Sequence, residues 1–99
     1  MHRTFRPFIL VDWSDLDEYK RYFLIRASLA FDRRSVTLYE EVHDIKTKEK
    51  RATHALFLSR LKTKLGVRVK PIIVTDAGFK TLWFRDVLAS GWDFLGRTW

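Results

Sequence analysis

The sequence predicts an α/β fold, a mixed sheet with helices packed on it, in the order β-β-β-α-β-α-β. Three observations carry this. Residues 7–43 hold short apolar runs separated by polar turns, as strands do. Residues 47–65 then switch to a helical period. Beyond them Pro71-Ile72-Ile73-Val74 is an uncharged apolar run set between two helix-period segments, which is how a buried parallel strand reads.

The elements follow in order. Residues 7–13, from Pro7 to Trp13, form a short buried strand, with Pro7 at its start. The polar cluster Ser14 to Glu18 is a turn. Residues 20–30 are rich in aromatic and aliphatic side chains and form a second strand, and Asp32-Arg33-Arg34 is the hairpin tip. Residues 35–43 form a third, with Val36, Leu38 and Val42 on an alternating face interrupted by Glu40. In the segment 47–65, His54, Leu58, Leu61 and Leu65 recur at helical spacing with Phe57 beside them, and Gly66 supplies the stop. Residues 67–75 read as a strand and 76–78 as a turn. Residues 79–90 read as a helix burying Phe79, Leu82, Trp83 and Val87, with Leu88 to the side. Gly91 ends it, and Trp92 to Gly96 is a last short strand. Right-handed crossovers place the fourth strand beside and parallel to the first.

Ninety-nine residues with 46% apolar side chains suffice for one domain with a real core. The longest run without Asp, Glu, Lys or Arg is eight residues (52–59), far short of the roughly 20 that a membrane helix needs. The absence of cysteine excludes a disulfide scaffold and a thiolate zinc site, and fits a reducing, intracellular compartment. The formal charge of +7 is concentrated in residues 46–70, which hold nine Lys and Arg and a single acid, Glu49. Such a cluster is either the solvated face of a helix or a surface for phosphates. Charge alone does not separate nucleic acid from an anionic membrane surface.

Two carboxylates stand just past apolar strands. Asp12 follows Phe8 to Val11, and Asp76 follows Ile72 to Thr75. On neighbouring parallel strands about 4.8 Å apart, the two side chains reach one small volume, where they repel unless a cation lies between them. Mg²⁺, with Mn²⁺ as a substitute, suits such oxygen ligands. The competing reading is turn or N-cap chemistry, which Asp76 fits well. Asp15 is a rival for Asp12, placed in the loop. His43 and His54 read as strand-end and helix-face residues rather than metal ligands. Asp76-Ala77-Gly78 lacks the pattern of a phosphate loop, and Ser14 and Ser28 have no base at a recognisable spacing.

The segments Ile9 to Asp15, His54 with Phe57-Leu58 and Leu61, Ile72 to Phe79, Trp83-Phe84-Arg85 and Gly91 to Arg97 together resemble the catalytic core of bacterial insertion-sequence transposases. The resemblance is to the Asp-Asp-Glu type, in the group named after insertion sequence four. Residues 75–79 and 91–97 are its most specific parts. The resemblance implies a ribonuclease-H-like sheet, with Asp12 and Asp76 as catalytic, metal-binding carboxylates of a two-metal site. It also implies cleavage and transfer of DNA strands in a bacterial cytoplasm, without a membrane or a small-molecule cofactor.

In that family a glutamate in a Tyr-Arg-Glu-Lys signature completes the site, and this sequence has no such signature. Asp86 and Asp93 are the only carboxylates after Asp76, and neither they nor Glu40 and Glu41 are well placed to replace it. The expectation is therefore a central slice of a transposase core, truncated at its C-terminal end and weakly active or inactive alone. Lys48, Lys50, Arg51, Lys62 and Lys64 would steer or hold phosphates, and other transposase chains are expected partners. The alternative function is a non-catalytic nucleic-acid-binding or regulatory module.

Overall fold

A computed structural model describes residues 6–19, 21–48, 50–75, 79 and 81–96. The elements are β1 (Phe8–Asp15), β2 (Tyr22–Phe31), β3 (Arg34–Asp44), α1 (Arg51–Leu65), β4 (Ile72–Thr75), α2 (Thr81–Ala89) and β5 (Asp93–Gly96). The order is the expected one. The five strands form one mixed sheet in the order β3-β2-β1-β4-β5. β1 pairs antiparallel with β2 and parallel with β4, and β4 pairs parallel with β5. The adjacency of the first and fourth strands is as the crossover argument requires.

The β2–β3 hairpin closes through Asp32 and Arg33, both with positive φ (45° and 65°). Two such residues give the twist that matches the flanking strands. The hairpin therefore turns on two residues, and Arg34 already belongs to β3. Further along, the register passes from Ala27↔Tyr39 to Ser28↔Thr37, leaving Leu38 as an extra residue. This bulge overturns the single alternating face read for the third strand. An inserted residue exchanges the two faces of the strand. Val36 is paired with Leu29 on the side of Ile9, whereas Val42 is paired with Leu24 on the opposite side.

Both helices cover one face of the sheet. Ile9, Val11, Ile25, Ala27 and Ile73 pack there against Phe57, Leu58 and Leu61 of α1 and Trp83 and Val87 of α2. The side chains of Phe8, Leu10 and Asp12 alternate with these and are exposed. α1 begins at Arg51 rather than near residue 47, because the Asp44 carboxylate accepts from the Thr47 amide and hydroxyl and ties the approach into a turn. It ends at Gly66 (φ 86°), whose N–H bonds the Lys62 carbonyl. β4 is shorter than read: Val67 is exposed, and the ladder with β1 starts only at Ile72. In α2 the expected inward face is corrected at Leu82, which is 43% exposed. Leu82 lies about 100° from Trp83 around the helix, enough to carry it out of the interface.

Candidate functional site

The candidate site lies at the carboxyl end of β1 and β4, on the face that the helices leave open. The parallel register is Phe8↔Ile72, Ile9↔Ile73 and Leu10↔Val74. Asp12 is two residues beyond Leu10. Asp76, the other expected ligand, lies outside the described residues. Thr75, which precedes it, is buried at the end of β4.

Across the strands, Asp12 is paired with Arg26, and Arg26 with Glu40. Three charged side chains thus share one rung of the open face. The Arg26 Nε donates to Glu40 Oε2 at 3.0 Å. Among the described residues no hydrogen bond or ion pair reaches the Asp12 carboxylate. Directly opposed residues have Cβ atoms about 5 Å apart, so Arg26 sets a positive charge beside Asp12. Sequence reasoning missed Arg26. Its signal was a single cation in the otherwise uncharged run 22–31.

Two of the other acids are engaged elsewhere. Asp86 sits five residues into the shorter helix and accepts from Arg51 Nη2 at 3.1 Å. Asp93 starts the edge strand β5, opposite Ile72, and accepts from Arg6. Asp15 is exposed at the end of β1. Among the described residues no group of three or more His, Asp or Glu side chains is gathered to hold a metal ion.

Glu41, on the helix-covered side, is the most heavily bonded carboxylate. Its Oε2 accepts from the Tyr39 hydroxyl at 2.5 Å and from Arg60 Nη1 at 3.0 Å, and Oε1 lies 2.8 Å from His43 Nε2. Burial opposes its charge, but the three hydrogen bonds outweigh that and hold its carboxyl below the ordinary value. Burial, then the bond to Glu41, pushes the Tyr39 hydroxyl up. These contacts tie β3 to α1 and leave the Glu41 side chain only 10% exposed.

Beneath the carboxyl end lies an aromatic cluster. Trp13 meets His43 edge-on at 5.9 Å and His54 at 6.0 Å. His54, half-buried as expected, also packs against Phe79 and Trp83. The Lys48 ammonium stands 4.0 Å from the centroid of Phe23, a cation–π distance.

The basic residues separate into distinct places. Lys48 and Lys50 lie in the approach to α1, at the same end of the sheet as Asp12. Lys62 and Lys64 lie about three turns further along the helix, roughly 16 Å away. Around α1, Arg51 and Lys62 face α2, where Lys62 Nζ donates to the Ser90 carbonyl at 2.8 Å. Arg60 and Lys64 face β3, with Lys64 Nζ 5.8 Å from the Tyr39 ring. Between these flanks the crest of the helix is Ala52, Ala55, Ser59 and Thr63, all exposed. A concavity of about 160 Å³ between Lys62, Lys70, Gly66 and Trp92 lies at the far end from Asp12.

Among the described residues no helix is long and apolar enough to cross a membrane. Comparison with known proteins gives no match, either among models of protein families or among curated proteins.

Proposed function

We propose that the chain is part of a transposase catalytic core with a ribonuclease-H-like sheet, acting on DNA in a bacterial cytoplasm. The observation that supports this is the parallel register Leu10↔Val74. In sequence, Asp12 stands two residues after Leu10, and Asp76 two residues after Val74. Equal sequence offsets from one rung of a parallel pair are what a shared pair of carboxylate ligands calls for.

The donor chemistry fits Mg²⁺ in part. Asp12 offers solvent-facing oxygens that no described protein group uses, and two carboxylates leave coordination positions for water and phosphate oxygens. When bound, the metal would polarise the phosphodiester and activate water or a 3′-hydroxyl. Asp12 and Asp76 would hold it. Arg26 would hold a phosphate beside it, and Lys48 and Lys50 would guide the strand towards that end of the sheet. Glu40, Asp86 and Asp93 are each bonded to an arginine and so are not free to take a third place. The chain alone is therefore expected to bind metal weakly and to cleave little.

The experiment pairs binding with activity. Mn²⁺ titration should broaden the amide signals around residue 12 and the end of β4, and Asp12→Ala should abolish the effect. Absence of such broadening in the unaltered chain would overturn the metal site. Nicking of supercoiled plasmid with Mg²⁺ or Mn²⁺ should be slight. Strong nicking removed by both Asp12→Ala and Asp76→Ala would overturn the claim of incompleteness. DNA affinity that falls steeply with salt but ignores divalent metal would instead indicate a non-catalytic binding module.

A further inference from the structure

The strand registers set a row of cations across the end of the sheet opposite Asp12. Phe8 pairs with Ile72, and Arg6 Nε donates to the Lys70 carbonyl at 3.3 Å, so Arg6 and Lys70 stand level. Ile9 pairs with Leu29, and Phe31 with Arg34, which brings the hairpin tip at Asp32 and Arg33 to the same level. Helix α1 runs down to this end too, carrying Lys64 in its last turn and leading on to Arg68. Arg33, Arg34, Lys64, Arg68 and Lys70 are all exposed. Among the described residues none of these five forms an ion pair. Asp93 is taken up by Arg6, which leaves Asp32 as the acid set among them. Cations so gathered from separate stretches of the chain repel one another until an anion meets them.

We propose that this end of the sheet binds the phosphate backbone of duplex DNA, apart from the metal site at Asp12. The spacing fits that partner. The hairpin tip lies two to three strand spacings from β4, about 12 Å, which is about the width of the major groove of B-form DNA. Arg33 and Arg34 can then meet one phosphate strand while Arg68 and Lys70 meet the other. Arg6 is six residues before Asp12 on the same strand path, about 20 Å away. A duplex held at this end therefore leaves the Asp12 carboxylate open.

Two other polyanions fit less well. Duplex RNA has a deep, narrow major groove, which does not match a 12 Å separation of the two cation pairs, about two to three strands. An anionic bilayer calls for a continuous apolar face among the cations. Phe31 and Val67 are exposed here, but they stand on separate segments and do not form one.

Fluorescence anisotropy of a short labelled DNA duplex with the full chain, in EDTA, tests this, with circular dichroism to establish folding. Four phosphate contacts give a slope of about −3.6 in log affinity against log salt, roughly a 150-fold loss between about 50 and 200 mM. Arg33→Asn/Arg34→Gln and Arg68→Gln/Lys70→Gln should each bring the slope to about −1.8. Asn is used at residue 33 because it tolerates the positive φ there. Arg85→Gln removes an exposed cation from α2 and should leave the slope unchanged. A slope that neither pair alters would overturn the proposal. So would tighter binding to duplex RNA, or binding to phosphatidylserine vesicles without binding to DNA. Mn²⁺ broadening at residue 12 of the same variants reports separately on the metal site. With it the chain carries both sites, and without it the duplex affinity is that of the non-catalytic binding module.

Discussion

Glu41 and Asp12 lie on adjacent rungs of one sheet, in the rows Trp13↔Ile25↔Glu41 and Asp12↔Arg26↔Glu40. A shift of one residue along a strand moves a side chain to the other face, and that shift separates their roles. Glu41 faces α1 and is enclosed by Tyr39, His43 and Arg60. Asp12 faces solvent, with Arg26 beside it and no described bond. The carboxylate with the most interactions is the one least able to meet a ligand. The bonds that hold the Glu41 carboxyl low thus make it a joint between β3 and α1.

The comparison can be broken first at Glu41. Glu41→Ala should destabilise the chain by about 2–3 kcal/mol in urea unfolding, since three donors lose a largely buried acceptor. Its pH dependence has a definite sign. Because the folded carboxyl titrates below the unfolded one, near about 4.3, its contribution is present above that pH and lost as pH falls through the lower folded value. The stability gap between the unaltered chain and Glu41→Gln should therefore narrow on acidification through that window. A gap that widens would contradict the assignment.

The next effect is smaller and separates the two arginines. Arg60→Ala removes one bond from the Glu41 cluster and should cost about 1 kcal/mol. Arg26→Ala removes an exposed pair and should stay within about 0.5 kcal/mol. Equal costs would show that the two faces are not as different as their burial implies. The smallest stability effect belongs to Asp12→Asn, expected within about 0.5 kcal/mol of no change. If that variant lost several times as much, Asp12 would be a structural residue like Glu41.

Much of the architecture was legible in the sequence because period is a local property. The change from strand to helix spacing near residue 50 and the uncharged run at 71–74 define the element order, and crossover handedness then sets β4 beside β1. What stayed hidden depends on partners remote in sequence. The bulge at Leu38 leaves no mark in the pattern of Val36, Leu38 and Val42, yet it decides that Glu41 rather than Glu40 meets the helix. Arg60 reaches Glu41 from 19 residues away. The basic residues of α1 read as one cluster in the sequence, but helical geometry divides them between α2 and β3. At the candidate site, the position of Asp12 past an apolar strand was readable. The role of Arg26 depended on the strand register, which sequence alone did not supply.

The pairing that joins β1 to β4 also bears on how the chain folds. β2 and β3 are consecutive, turn on Asp32 and Arg33, and form contacts between near neighbours in the chain, as a hairpin can on a scale of about 1–10 μs. The β1–β4 seam instead joins segments such as Arg6 and Lys70, which are 64 residues apart. It must await closure of a long loop before its contacts repay the lost chain entropy. The hairpin is thus expected to assemble early and the seam late. Amide exchange should accordingly be slowest in β2 and faster along β4, so that the strand ends beside Asp12 belong to the last part of the sheet to form and the first to open.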